Sequence, residues 1–151
     1  MQLTPQISEV IELGAADNRF FCRAWFPKTF RDPFPPFEDR VWAALDSDRV
    51  RFANVQMFRG SAKTTRLRAF MAKRVAYGLS RVILCIGASE RKALQSIGWL
   101  KRVIETNTRF TEAFQLEMGA KWTDDKLEIK HKLLGHSVWV LGMGILGSHR
   151  G

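Results

Sequence analysis

The octapeptide Phe58-Arg59-Gly60-Ser61-Ala62-Lys63-Thr64-Thr65 joins an extended, half-apolar stretch, Val50 to Met57, to a basic amphipathic one, Thr65 to Leu79. Locally, this reads as strand, tight turn, helix. In such a turn the backbone N–H groups of the loop and of the first helical turn converge on one point, where the helix dipole also favours negative charge. Lys63 adds a point charge suited to β- and γ-phosphates, and the Thr64 hydroxyl a ligand for Mg²⁺. Against the pattern G-x-x-x-x-G-K-[ST], Met57 and Ala62 stand where the two glycines belong. With a Cβ at position 62, the expectation is a negative φ there, because left-handed backbone penalises a side chain. The plainer alternative is a basic helix start after a glycine turn, with Lys63 solvated.

The residues C-terminal to the loop bear on that choice. Along Thr65 to Leu79, Leu67, Phe70, Met71, Val75 and Leu79 fall on one side, and Gly78 and Ser80 mark the end. The run Arg81 to Gly87 is short and continuously apolar, which predicts a strand buried on both faces of a parallel sheet. Ser89 is placed to cap a helix whose inner side carries Ala93, Ile97, Leu100 and Ile104, with Asn107 near its end. Strand, loop, helix, strand, helix is the order of an α/β fold. It sets the octapeptide at the carboxyl end of the first strand, where a phosphate loop belongs.

The flanks are less regular. Gln6 to Gly14 has helical spacing. Arg19 to Phe30 carries five aromatics in twelve positions and is followed by Pro33, Pro35 and Pro36, so we expect an aromatic segment docked on the domain and then a turn. Base stacking by those aromatics is the alternative. Phe37 to Leu45 again has helical spacing, and Asp46-Ser47-Asp48 closes it. Beyond Phe110 we expect a short helix to Leu116 and a loop at Trp122 to Asp125. Leu127 to Leu133 then alternates as a strand with one wet face, on which His131 is placed, and turns at Gly135 into a hairpin partner, Ser137 to Gly142. Gly142-Met-Gly144-Ile-Leu-Gly147 matches G-x-G-x-x-G, but no helix or downstream acid accompanies it, so it reads as a glycine loop. Asp124-Asp125 reads as a turn and not a metal pair.

Charge is partitioned sharply. The net charge of +9 comes from −2 over residues 1–50, +11 over 51–110 and zero over 111–151. The excess coincides with the candidate loop, which suggests a polyanionic partner, with a solvated basic face as the alternative. No signal-peptide or membrane-spanning pattern is visible, so a cytosolic protein is expected. Cys22 and Cys85 lack disulfide or zinc spacing and are expected to be packed thiols, Cys85 especially. Neither they nor His131, His136 and His149 form a nucleophile–base pair.

With these features in order, the chain resembles the large subunit of bacteriophage terminases, the ATP-driven motors that package viral DNA. The likeness rests on the aromatic segment through Phe26-Pro27, the Phe37 to Leu45 helix and Arg59-Gly60-Ser61-Ala62-Lys63-Thr64-Thr65 as a deviant Walker A loop. It continues through the Val82 to Ile86 strand, the helix with Ala93, Leu94 and Ile97, Glu105-Thr-Asn107, Phe110 to Phe114, and the glycine-rich Leu141 to Gly151. It implies an incomplete P-loop NTPase fold, α/β, with a parallel sheet, flanking helices and an antiparallel hairpin near the C-terminus. Residues 1–49 would form a helical and aromatic lead-in and 50–151 a partial ATPase domain. ATP and Mg²⁺ are the implied cofactors. Gly60, Ser61, Ala62, Lys63 and Thr65 would bind nucleotide, with Thr64 on Mg²⁺, Arg59 near the γ-phosphate, and Arg59 and Lys63 in catalytic roles. Implied partners are double-stranded DNA, a terminase small subunit, a portal protein and further copies of the motor subunit, in the host cytoplasm and with no membrane. Arg66, Arg68, Lys73 and Arg74 are the candidate DNA contacts. The family's Walker B acids and nuclease are not found within 1–151, so we expect binding by this chain without efficient hydrolysis. A helicase-like P-loop ATPase and a non-enzymatic basic nucleic-acid-binding domain, with Arg91, Lys92, Lys101 and Arg102 added to the contacts, are the alternatives.

Overall fold

A computed structural model describes residues 5–145, which fall into two compact units that divide between Lys73 and Arg74, inside one helix. The sequence-based boundary at 49/50 lies earlier in the chain.

The first unit is helical. Helices α1 (Pro5–Ala16), α2 (Asn18–Trp25) and α3 (Asp39–Asp46) precede α4 (Lys63–Ala76), which runs across the division. Asp17 caps α2, its carboxylate accepting from the N–H groups of Arg19 at 2.8 Å and Phe20 at 3.3 Å, which satisfies two donors that a helix start leaves open. The aromatic segment is core: Phe21, Trp25, Phe26 and Phe30 are all buried. Phe30, Phe34 and Trp42 extend it as a chain of rings, with centroids 5.8 and 5.3 Å apart. Helix α2 ends at Trp25, with Phe26 as its C-cap and Pro27 next, and Pro36 opens a single 3-10 turn, Pro36–Glu38, that feeds α3. Residues 50–58 are irregular and form no strand, contrary to the strand expected there. Their alternation is incomplete: Phe52 and Phe58 are exposed and only Val55 and Met57 turn partly inward, so no buried face fixes them in a ladder.

The second unit is α/β. It begins with the end of α4, closed by a Schellman motif in which Gly78 (φ +61°) and Leu79 donate back to the carbonyls of Val75 and Arg74 at 3.1 and 2.9 Å. Then come β1 (Val82–Gly87), α5 (Glu90–Thr106), α6 (Thr108–Phe114), β2 (Leu116–Trp122), β3 (Lys126–His131) and β4 (His136–Gly144). Ser89 caps α5 as expected, accepting from Lys92 N–H at 3.4 Å, and Ala93, Ile97, Leu100 and Ile104 are its buried side. The strand order is β1-β4-β3-β2; β1 and β4 are parallel and the other pairs antiparallel. The expected parallel sheet is therefore a mixed one. The C-terminal hairpin is present, but it belongs to the same sheet, and it brings β4 alongside β1.

Helix α5 covers one face of this sheet, over Leu127, Ile129, Val138 and Val140. Glycines let it approach: a Cβ on Gly142 would stand 2.8 Å from Ile97 Cγ1, and one on Gly87 2.7 Å from the Ser89 carbonyl oxygen. The opposite face of β1 is open, with Val82, Leu84 and Ile86 exposed. The continuous apolar run predicts burial on both faces, and only one face is covered. His131 shares its parity with Leu127 and Ile129, so it is buried and not on the wet face, with its Nε2 2.7 Å from the Ala76 carbonyl. The thiols also exchange places, Cys22 being fully buried and Cys85 half-buried. Of the G-x-G-x-x-G match, Gly142 and Gly144 lie in β4, whereas Gly147 and His149 lie outside the described residues. Among the described residues no helix is long and apolar enough to cross a membrane.

Candidate functional site

The octapeptide folds as a turn that opens directly into α4. Ser61 N–H donates to the Phe58 carbonyl at 3.3 Å, and the first helical bond runs from Arg66 N–H to the Ala62 carbonyl at 3.2 Å. Gly60 has φ +86° and Ala62 φ +55°, with Ser61 between them at negative φ. The negative φ expected at Ala62 is thus replaced by a left-handed one. The turn needs to reverse the chain and start a helix within three residues, and a side chain at its last position is carried in a strained conformation of order 1–2 kcal/mol.

The sign of φ thus alternates over residues 60–62. The Ser61 N–H is given to the Phe58 carbonyl, so the donors left for an anion are those of the first turn of α4, which have no intrahelical acceptor. Ser61 is 6% exposed and its Oγ has no hydrogen-bond partner. A buried hydroxyl without a partner is costly, and an oxygen-rich ligand at the turn would complete it. These are residues that fit a polyphosphate. Lys63 Nζ meanwhile donates to the Met57 carbonyl at 3.3 Å, so its charge is held across the loop. Thr64 and Arg59 are exposed and Thr65 is half-buried. Thr64 is the residue whose hydroxyl could hold Mg²⁺, a cation that would offset phosphate charge.

Beside the loop runs an open groove of about 760 Å³ whose lining includes Phe37, Arg40, Asn54, Gln56 and Phe58. Its volume is in the range of small-molecule sites, about 300–1,000 Å³. Phe37 and Phe58 rings stand 5.2 Å apart, tilted 56° to each other, and both are exposed, so an apolar aromatic surface is presented next to amide and guanidinium groups. None of Phe37, Arg40, Asn54 and Gln56 is marked as a site by the sequence; they come from a 3-10 turn, a helix and an irregular segment that share no motif.

The candidate DNA contacts are placed differently from one another. Arg66 pairs with buried Glu38 at 2.8 Å and lies over Phe30 and Phe34. Arg74 is turned onto the end of its own helix, donating to Ser80 Oγ at 2.7 Å and the Leu79 carbonyl at 3.0 Å. Arg68 is half-buried. Lys73 is buried and donates to the Ala15 carbonyl at 3.1 Å, with Asp46 at 3.9 Å. Burial pushes the Lys73 amine below its ordinary value against the opposing pull of Asp46, and burial likewise raises Asp46. The Lys73 charge is thereby committed to the interior, where a polyanion does not reach it. Arg91, Lys92 and Arg102 on α5 are exposed, and Lys101 pairs with Asp124 at 3.4 Å. Asp125 accepts from Thr123 Oγ1 at 2.8 Å, which makes residues 123–126 a hydrogen-bonded turn. Comparison of the chain with known protein families, with characterised proteins and with solved structures gives no match.

Proposed function

We propose that the chain binds the phosphates of a nucleoside triphosphate, with ATP and Mg²⁺ the ligands its residues suit, at the loop Phe58 to Thr65. The observation that carries this reading is the loop itself: left-handed Gly60 and Ala62 around a buried Ser61 whose hydroxyl has no partner, opening a helix that begins with Lys63 and Thr64. Arg59 is exposed at the turn and by the resemblance would sit near the γ-phosphate, and the neighbouring groove would offer the base and ribose the rings of Phe37 and Phe58.

By its resemblance to the terminase large subunit, the site would serve a DNA-packaging motor with an incomplete P-loop fold, acting on double-stranded DNA with a small subunit, a portal protein and like copies in the host cytoplasm. The loop supplies binding; turnover needs carboxylates that orient water and metal. Titration of the chain with MgATP, beside Lys63→Ala, tests the reading: binding that the substitution weakens at least tenfold supports it, and equal binding by the two proteins or none by either refutes it.

A further inference from the structure

Glu38 is 1% exposed, and it is held in an unusual way. Its Oε2 accepts from Trp42 Nε1 at 3.0 Å and from Arg66 Nε at 2.8 Å. Its Oε1 is buried without a hydrogen-bond partner, and the residue lines, with Lys63, Arg66 and Met57, an enclosed cavity of about 10 Å³, room for a single water. A buried carboxylate with half of its acceptors unfilled is expensive, and apolar residues of the same volume would serve packing better.

Arg66 connects this carboxylate to the loop. Its backbone N–H donates to the Ala62 carbonyl at 3.2 Å and its Nη1 approaches the same oxygen at 3.5 Å. The backbone donor is the first bond of α4, and the guanidinium adds a longer contact to the same carbonyl, that of the strained left-handed position. Glu38 holds the guanidinium at Nε, and the Phe30 and Phe34 rings lie 5.9 Å from its centre.

We propose that Glu38 is a positioning residue for the phosphate loop, acting through Arg66 to hold Ala62 left-handed before any ligand arrives. The inference rests on the phosphate-loop reading for its purpose, but its geometry stands in the ligand-free protein. Glu38 touches no phosphate. It lowers the ordering cost of binding by holding the turn at residues 60–62, and with it the first N–H groups of α4, in place.

The effect differs in sign from simple electrostatics. Removing a negative charge near a polyphosphate site would tighten binding, whereas loosening the loop weakens it. Glu38→Gln and Arg66→Lys are therefore each expected to weaken binding of magnesium pyrophosphate and of MgATP about tenfold, and the double variant no more than the weaker single one. Adding Ala62→Gly, which adopts the left-handed geometry without strain, should return most of that loss in Glu38→Gln. Hydrogen exchange on the unliganded protein gives the second readout: amides 60–65 should exchange at least several-fold faster in Glu38→Gln while those of α1 and α2 keep wild-type rates. Unchanged exchange at 60–65, acceleration of α1 and α2 to the same degree, or affinity that Ala62→Gly does not restore, overturns the proposal. If wild type binds neither probe, the nucleotide reading fails, and the exchange rates alone still decide the role of Glu38.

Discussion

Ala62 carries a Cβ through a φ of +55°, and Gly60 two residues earlier has φ +86°. The two positions should respond oppositely to exchange. Ala62→Gly removes left-handed strain of about 1–2 kcal/mol and adds unfolded-chain entropy of about 0.4–1 kcal/mol, leaving the variant about 0.5–1 kcal/mol more stable. Gly60→Ala meets no atom within 4 Å, so its cost is conformational alone, about 1 kcal/mol of destabilisation, read from urea midpoints. A second residue, Cys22, gives a pH signature. Burial pushes its thiol from 9.0 up to about 12, against the lowering pull of Lys73 and Arg66. Between those values the folded chain keeps a proton that the unfolded chain releases, so stability falls as pH rises, by at most about 1.4 kcal/mol per unit. Lys73, pushed down by burial, acts in the opposite sense below 10.5 and is present either way. Cys22→Ala should therefore show a flatter decline of stability above pH 9 than wild type, with equilibrium urea unfolding at stepped pH as the check.

At the scale of elements, the glycines under α5 decide how closely helix and sheet meet. A Cβ on Gly144 would run into the backbone of Glu90, with Ser89 C at 2.8 Å, and backbone there cannot rotate aside. Gly144→Ala should cost about 1–3 kcal/mol as α5 is forced off the sheet. Gly98, within α5, faces only the end of the Arg102 side chain at 3.4 Å, so Gly98→Ala should stabilise by up to about 1 kcal/mol. Thermal midpoints that move in the same direction for both variants would contradict this account. Most of the helices were legible in the sequence through a periodic apolar side or a capping residue, such as Ser89 before α5 and Gly78 after α4, whereas α2, within the aromatic segment, was not read as a helix; Asn107 caps α6, its side chain accepting from Phe110 N–H at 3.1 Å. Strands were harder. β2 was not foreseen because its residues follow no clean alternation, Glu117, Met118, Ala120 and Lys121 all being exposed, with a register shift between Met118 and Trp122. The parity of Leu127, Ile129 and His131 did contain the burial of His131. For Val50 to Phe58, local pattern suggested a strand, but strand formation depends on a partner and a buried face, which no local pattern reports.

Across the whole molecule, the charge map survives in altered form. The +11 of residues 51–110 is real, yet Arg66, Lys73 and Arg74 direct their charges to Glu38, the Ala15 carbonyl and the end of α4. Part of the basic excess therefore serves internal structure, and the exposed remainder includes Arg59, Arg91, Lys92 and Arg102. Sequence marked the loop through its Gly-Ser-Ala-Lys-Thr string. It did not mark Glu38 or the groove at Phe37, because those groups lie some twenty residues upstream and join the loop only through folding. Affinity for polyphosphate at Phe58 to Thr65 is the property on which the proposed function depends. Calorimetric titration of wild type and Lys63→Ala with MgATP measures it directly. Saturable one-site binding by wild type, with at least a tenfold loss, about 1.4 kcal/mol, in the variant, is the predicted result; equal isotherms for the two proteins, or no binding by wild type, would contradict it.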